Sequence, residues 1–417
     1  GACTDCRRFW ARYRAGEVDD AEISQVEGQL AVTAGTCAVM GTASTMACLA
    51  EALGLILPGT AAIPAVHADR LRAAEATGAA AVKLIGSRLT PDRIVNAKSV
   101  ENALRVLLAL GGSTNAVIHL TAIAGRAGVK VSLDQINRLS DSTPVLVNLK
   151  PVGNGYMEDF FAAGGMSTLL RELKPLLHLD CMTVTGETLG ERLASEAEQS
   201  HVERSIIAAH DAPFEPQGGL IALFGNLAPK GAILKRSAAD AKLFEHEGRA
   251  VVFSSLDDLA ARMDDPALEV TSADVLVLQN AGPHAAAAMP EAGYLPIPRK
   301  LARQGVKDMI RVSDARMSGT AFGTIVLHVT PDAASGGPLG LVRDGDRIRL
   351  SVKERRIDLL VDAAELNQRA AAAKSAQKSA QAQPERGYAR LYAREILGAD
   401  EGCDFAFLRP PTLRQTP

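Results

Sequence analysis

Residues 309–331, MIRVSDARMSGTAFGTIVLHVTP, carry the reading that decides the fold. The two ends, MIRVSD (309–314) and TIVLHVTP (324–331), are apolar and rich in β-branched residues, and a loop holding Gly319 and Gly323 separates them. That pattern reads as strand, loop, strand. The same texture continues outward, with GLIALFG (219–225), AVVF (250–253) and ADVLVLQN (273–280) upstream. Downstream, DRIRLSV (346–352) opens at the Asp344-Gly345 turn and joins RRIDLLV (355–361) through Lys353-Glu354. Many short strands at regular spacing predict a barrel or sandwich with helices packed outside it.

Before about residue 205 the texture is different. Residues 7–30 carry apolar positions at helical spacing, Met46 to Leu55 reads as a helix that Thr42 or Ser44 caps, and 101–126 reads as helix, GGSTN turn, helix, with Ser113 or Thr114 as the second cap. PVLVNL (144–149) is a β-like run between such helices. The predicted fold class is therefore α/β, with an N-terminal α/β layered domain (1–205) and a C-terminal β-barrel-like domain with flanking helices (206–417). A chain of 417 residues is too long for one ordinary core, which agrees with two domains. Residues 367–383, rich in Ala, Gln, Lys and Ser, read as an exposed helix or a loose linker.

Bulk composition removes several function classes. A net charge of -3 and 4% aromatic residues give no electrostatic or stacking surface for nucleic acid. The uncharged stretch from Ala52 to His67 is broken by Gly54, Pro58, Gly59 and Pro64, so it predicts no membrane span. Six cysteines in so long a chain make no disulfide framework, and a reducing, cytoplasmic setting is expected. Cys3 and Cys6 form a CxxC without a second pair to complete a metal site, and read as the start of a helix.

GxGxxG, P-loop and HExxH motifs are absent, and RMSGT (316–320) lacks the leading glycine of a nucleophile elbow. Three turns with one reactive side chain each remain. In GTCAVMG (35–41), Cys37 sits among small residues just before a helix, with room for an inorganic cluster. A buried structural thiol explains the position equally, since one cysteine cannot hold a cluster alone. Ser318, beside Asp314 and Arg316, is placed to be a base, a hydrogen-bond donor or a cap. Glu291, between Pro290 and Gly293, is a carboxylate on a stiff loop that suits a hard cation such as Mg²⁺ or is simply solvated.

Taken together, GTCAVMGTASTMACLAEALGL (35–55), ALGGSTNAVIHLTAIAGRAG (109–128), GNLAPKGAILK (225–235), HEGRAVVF (246–253) and residues 306–339 resemble the dihydroxy-acid and sugar-acid dehydratase family, in family order. The resemblance implies a hydro-lyase that converts a 2,3-dihydroxy carboxylate to a 2-keto-3-deoxy acid with an iron–sulfur cluster, commonly [2Fe-2S], and Mg²⁺. It implies Cys37 as a cluster ligand, Glu291 as a Mg²⁺ ligand and Ser318 as proton acceptor, converging on one pocket between the two domains. It also implies a homodimer or homotetramer.

Two departures accompany the resemblance. The family's other cluster cysteines, and its Asp and modified Lys for Mg²⁺, have no counterpart here, so the chain is expected to begin inside the family's first domain. Where members have a Gly/Pro-rich stretch before MPE, this chain reads GPHAAAAMPE (282–291), so the loop's shape is expected to differ. The tail ERGYARLYAREILGADEGCDF (385–405) is similar to the aldonate, or pentonate, branch. The alternatives are a dihydroxy-acid dehydratase of branched-chain amino-acid biosynthesis and an inactive remnant lacking cluster ligands.

Overall fold

The computed structural model describes residues 2–31, 33–196, 202–291, 295–380 and 384–411. Its first half is helical: α1 (Cys3–Ala15), α2 (Asp20–Gly28), α3 (Thr42–Ala52), α4 (Ala68–Leu84), α5 (Pro91–Ile94) and α6 (Ala97–Leu110). Then follow α7 (Asn115–Arg126), α8 (Leu133–Ser142), α9 (Met157–Ala162), α10 (Gly165–Glu172) and α11 (Leu189–Ser195). The helical period over 7–30 is divided in two, because Gly16 turns left-handed at φ 79° and Asp19 caps α2 through the Glu22 N–H. PVLVNL forms isolated bridges at Val145, Val147 and Leu149.

α6 is the centre of this half. Asn96 caps it through the Lys98 and Ser99 N–H groups, and Gly111 ends it in the left-handed region. Leu104, Leu107 and Leu108 are fully buried against Leu49 of α3, Leu120 of α7 and Phe160 of α9 in one apolar core. The expected side-chain caps of α3 are not made: Gly41 precedes it, and the Thr42 hydroxyl meets that of Ser113 at 2.9 Å. At α7 Thr114 makes no cap bond, but Ser113 Oγ accepts the N–H of Asn115, the first residue of the helix, at 3.2 Å.

The second half is organised by eight strands, β1 (Ile221–Leu223), β2 (Gly231–Leu234), β3 (Glu245–Phe253), β4 (Val275–Leu278), β5 (Arg311–Ser313), β6 (Ile325–Thr330), β7 (Arg347–Ser351) and β8 (Arg356–Leu359). They lie in the order β1-β2-β6-β5-β4-β3-β7-β8. The four central strands β3, β4, β5 and β6 are parallel, and the outer pairs are antiparallel. The two edges meet where Phe224 bridges Arg356, and the Asn226 side chain bonds both backbone groups of Leu359. This nearly closes the sheet into a barrel, which leaves little open edge. Its interior is filled by Leu223, Leu234, Val277, Val312, Val326, Ile348 and Ile357.

Outside the barrel lie α12 (Leu256–Arg262), α13 (Arg299–Ala302), α14 (Ala363–Ala380) and α15 (Gly387–Glu395). The mixed α/β class and the barrel-like sheet with flanking helices are as the sequence predicts, and the described part of 367–383 is the end of α14. Asn137 of α8 joins the two halves: its amide donates to the Ala222 carbonyl and accepts the Ala222 N–H, at 3.0 and 2.9 Å, acting as one more strand residue beside β1.

Lys235, just past β2, is 7% exposed, and its Nζ has no hydrogen-bond partner among the described residues. It shares a face with Ile233, which packs on the helical core. Burial pushes its amine down to about 7 from the ordinary 10.5, so the unfolded chain holds that proton more strongly than the folded one. Stability should therefore rise with pH from about 7 toward 10.5. Lys235→Met should flatten that slope and stabilise the protein near neutral pH by about 1–3 kcal/mol, read as urea midpoints across the pH range. A midpoint that drops in the variant would show a hidden partner for the amine.

Candidate functional site

The C-terminal ends of the parallel strands β4 and β5 lead into the loops that carry Glu291 and Ser318, the end where ligands of parallel sheets commonly bind. After β4 the chain runs through Asn280 to Glu291, and after β5 through Asp314 to Gly323. Asp314 ties these loops together, its carboxylate accepting the Ala281 N–H at 3.0 Å and the Ala333 N–H at 2.9 Å. Burial raises its pKa to about 6 against those two bonds.

Glu291 and Arg316 pair as backbone neighbours in a parallel bridge. Arg316 Nη1 lies 3.8 Å from Glu291 Oε2, and Arg316 Nε donates to the Met289 carbonyl at 3.1 Å. The Glu291 loop is thereby fixed two residues from Ser318. The alanine-rich stretch still makes a left-handed turn, with Ala288 at φ 53° and Met289 at φ 52°. An L-residue there costs about 1–2 kcal/mol that glycine would not.

Ser318 is half-buried, and its Oγ lies 2.8 Å from Thr320 Oγ1 and accepts the Thr320 N–H at 3.3 Å. Arg7 Nε donates to the same Thr320 Oγ1 at 3.0 Å, and the Thr4 hydroxyl to the Thr320 carbonyl at 3.3 Å. Because Arg7 occupies an acceptor site on Thr320, the Thr320 O–H is free to donate to Ser318. Between the two, Gly319 lies so close to the helical half that a Cβ would stand 2.6 Å from Ser113 Oγ and 3.0 Å from the Thr42 N. Only glycine fits.

The helical half meets this loop with a small hydroxyl cluster. Asn115 Nδ2 donates to Thr42 Oγ1 at 3.1 Å, and the fully buried Asn115 Oδ1 has no partner among the described residues. Near Arg316, His328 sits in β6 with φ 57°, and its buried Nε2 also lacks a described partner. Burial, with Arg316 and His119 nearby, pushes His328 down to about 3, so it is neutral.

Cys37 is half-buried in the turn before α3, where Ser44 Oγ reaches its carbonyl at 3.5 Å. Its sulfur accepts the N–H of Cys3, the first residue of α1, at 3.5 Å. The same helix reaches Thr320 through Thr4 and Arg7, so α1 connects the thiol turn to the Ser318 loop. α1 is itself held by Asp5, which takes bonds from Lys150 Nζ and the Tyr156 hydroxyl, each at 2.8 Å. Cys37 also lines a cavity of about 1070 Å³ with Ser44, Ile63, Arg70, Thr77 and Glu158, whose described lining does not include Ser318 or Glu291.

Among the described residues no group of three or more His, Cys, Asp and Glu side chains could hold a metal ion. Cys37 with Cys3 offers two soft donors, and Glu291 one hard donor already facing Arg316. These residues by themselves complete neither a cluster nor a Mg²⁺ site. The sequence reading did not identify the Cys3 contact, the Arg316 tie or the Arg7–Thr320 link to Ser318. The polar spacing of RMSGT, with Arg316, Ser318 and Thr320 alternating, is the one local signal for the last two.

Profiles of the dihydroxy-acid/6-phosphogluconate dehydratases match in two parts, the N-terminal one over residues 2–192 and the C-terminal one over 205–403. The chain is 46% identical over 413 residues to an L-arabonate dehydratase of Azospirillum brasilense, and 44% identical over 412 residues to a 6-deoxy-6-sulfo-D-gluconate dehydratase of Pseudomonas putida. Each alignment spans 98% of this chain and 70% of the relative. A dihydroxy-acid dehydratase of Desulfosudis oleivorans is 38% identical over 396 residues, spanning 94% of this chain and 69% of that one. With both halves matched in order, the chain belongs to the dihydroxy-acid/6-phosphogluconate dehydratase family of hydro-lyases.

Proposed function

We propose that this protein dehydrates a sugar acid, an aldonate, to its 2-keto-3-deoxy acid. The observation that carries the reading is the 43–46% identity to sugar-acid dehydratases, against 36–38% to the dihydroxy-acid dehydratases. We assign Ser318 as acceptor of the C2 proton. A serine hydroxyl is a poor base, and its alkoxide needs donors already in place. The Thr320 N–H supplies one, and the Thr320 hydroxyl, which accepts from Arg7, has its proton available for the other. Arg316 holds the Glu291 loop in register with the Ser318 loop, and its guanidinium is a cation for the substrate carboxylate once Glu291 turns away.

An iron–sulfur cluster, [2Fe-2S] in type, and Mg²⁺ are the proposed cofactors, Cys37 giving one thiolate to the first and Glu291 one carboxylate to the second. Among the described residues no group of three or more His, Cys, Asp and Glu side chains completes either site. The proposed division at 205/206 places Cys37 on one side and Glu291 and Ser318 on the other. We further propose a cytoplasmic homodimer or homotetramer. Among the described residues no helix is long and apolar enough to cross a membrane.

The test is a panel of pentonates, hexonates and a branched 2,3-dihydroxy acid, with 2-keto acid measured directly after anaerobic preparation with iron, sulfide and Mg²⁺. Turnover of an aldonate at least tenfold above the branched acid is expected. Preference for the branched acid would move the protein to the amino-acid branch, and no turnover of any member would favour the inactive remnant.

A further inference from the structure

Cys3 and Cys37 are 34 positions apart in sequence and in contact in the fold. The Cys3 N–H donates to the Cys37 sulfur at 3.5 Å, and the thiols of the two residues hydrogen-bond to each other. Cys3 is exposed, and Cys37 faces the large cavity beside α4, so a small oxidant reaches both. Neither residue is in a disulfide. We propose that Cys3 and Cys37 form a reversible disulfide site, closed by a peroxide whenever Cys37 binds no other group.

The roles follow from the donors. The Cys3 N–H donates to the Cys37 sulfur, so negative charge that develops there during attack is stabilised, and Cys37 takes the first step. The Cys37 sulfur gives up its proton, attacks one peroxide oxygen and becomes a sulfenic acid, while the O–O bond breaks and the departing oxygen takes that proton and leaves as water. The Cys3 sulfur then displaces the sulfenic hydroxyl, losing its own proton, and a second water leaves. The two sulfurs give up two electrons in all, peroxide is reduced to two waters, and a dithiol reverses the step.

The disulfide rests on the positions of the two thiols alone. Its consequence, that oxidation withdraws Cys37 from a cluster, rests on the function proposed above. The test is made on the full chain, reduced and stripped of metal with a chelator, then exposed to hydrogen peroxide, alkylated and mapped as peptides without reduction. A linked Cys3–Cys37 peptide should form, the labelling of both thiols falling at least tenfold faster than that of the buried Cys48 and Cys181, and dithiothreitol should restore it. Cys3→Ser should abolish the link and leave Cys37 as a sulfenic acid that dimedone traps. A Cys3–Cys6 link, or Cys37 labelled at an unchanged rate after peroxide, would overturn the proposal. No turnover enters the readout, so an enzyme without dehydratase activity leaves the result standing.

Discussion

Ser318→Ala should lower kcat/KM on the aldonate by about 10³-fold, or about 4 kcal/mol of transition-state stabilisation. KM should change little, because the hydroxyl is assigned to the proton and not to substrate binding. The structural cost of the substitution is small. Thr320 keeps its bond from Arg7 at 3.0 Å and its carbonyl contact from Thr4, so the loop does not lose its anchor. Exchange of the substrate's C2 hydrogen with deuterated solvent separates a base from a binding residue, and the variant should lose that exchange together with turnover. Thr320→Val keeps the serine and removes the hydroxyl beside it, so it should lower kcat by a smaller factor and move the ascending limb of the pH profile, which the base sets, to higher pH. If Ser318→Ala exchanges deuterium at the wild-type rate, the proton goes elsewhere, and the buried Asp314 carboxyl, raised to about 6, becomes the next group to test.

The parts of the fold that repeat a local rule were legible from residues alone. β4 is a continuous apolar run, and β6 is buried at every position with only His328 and Thr330 interrupting its apolar residues, as suits strands of a parallel sheet covered on both faces. β2 was not read as a strand, because GAIL is only four residues long and opens on Gly231. The α3 cap was misread for a different reason. Thr42 has the right chemistry to cap, but its hydroxyl meets that of Ser113, and a contact over 71 residues leaves no local trace. The candidate site shows the same division. Its reactive residues stand out in glycine-bearing turns, whereas the groups that orient them, Arg7 on Thr320 and Cys3 on Cys37, come from α1, 313 and 34 positions away. Helical period marks α1 as a helix but does not say which loop it covers.

Arg192→Met should be the most damaging single substitution away from the reactive loops, at about 3–5 kcal/mol. Arg192 and Glu51 have 2% and 0% of their side chains exposed and meet at 2.9 Å, joining α11 to α3. Glu51 also accepts the Gly59 N–H at 2.8 Å and the Ala61 N–H at 3.2 Å, so it shapes the loop that walls the cavity beside Cys37. Burial already pushes the Glu51 carboxyl up, against the pull of Arg192 and those N–H groups. Without the guanidinium the opposing pull weakens, and the folded chain binds that proton more tightly than the unfolded one. Stability of the variant should then fall as pH rises above the ordinary glutamate value, a loss the wild type shows more weakly. Glu51→Gln added to Arg192→Met removes the buried charge and keeps an oxygen for Gly59, so it should recover about 1–3 kcal/mol and flatten the pH dependence. Urea midpoints at pH 5 and pH 8 measure both effects. A double variant no more stable than the single one would mean that the arginine acts by filling space rather than by balancing the carboxylate.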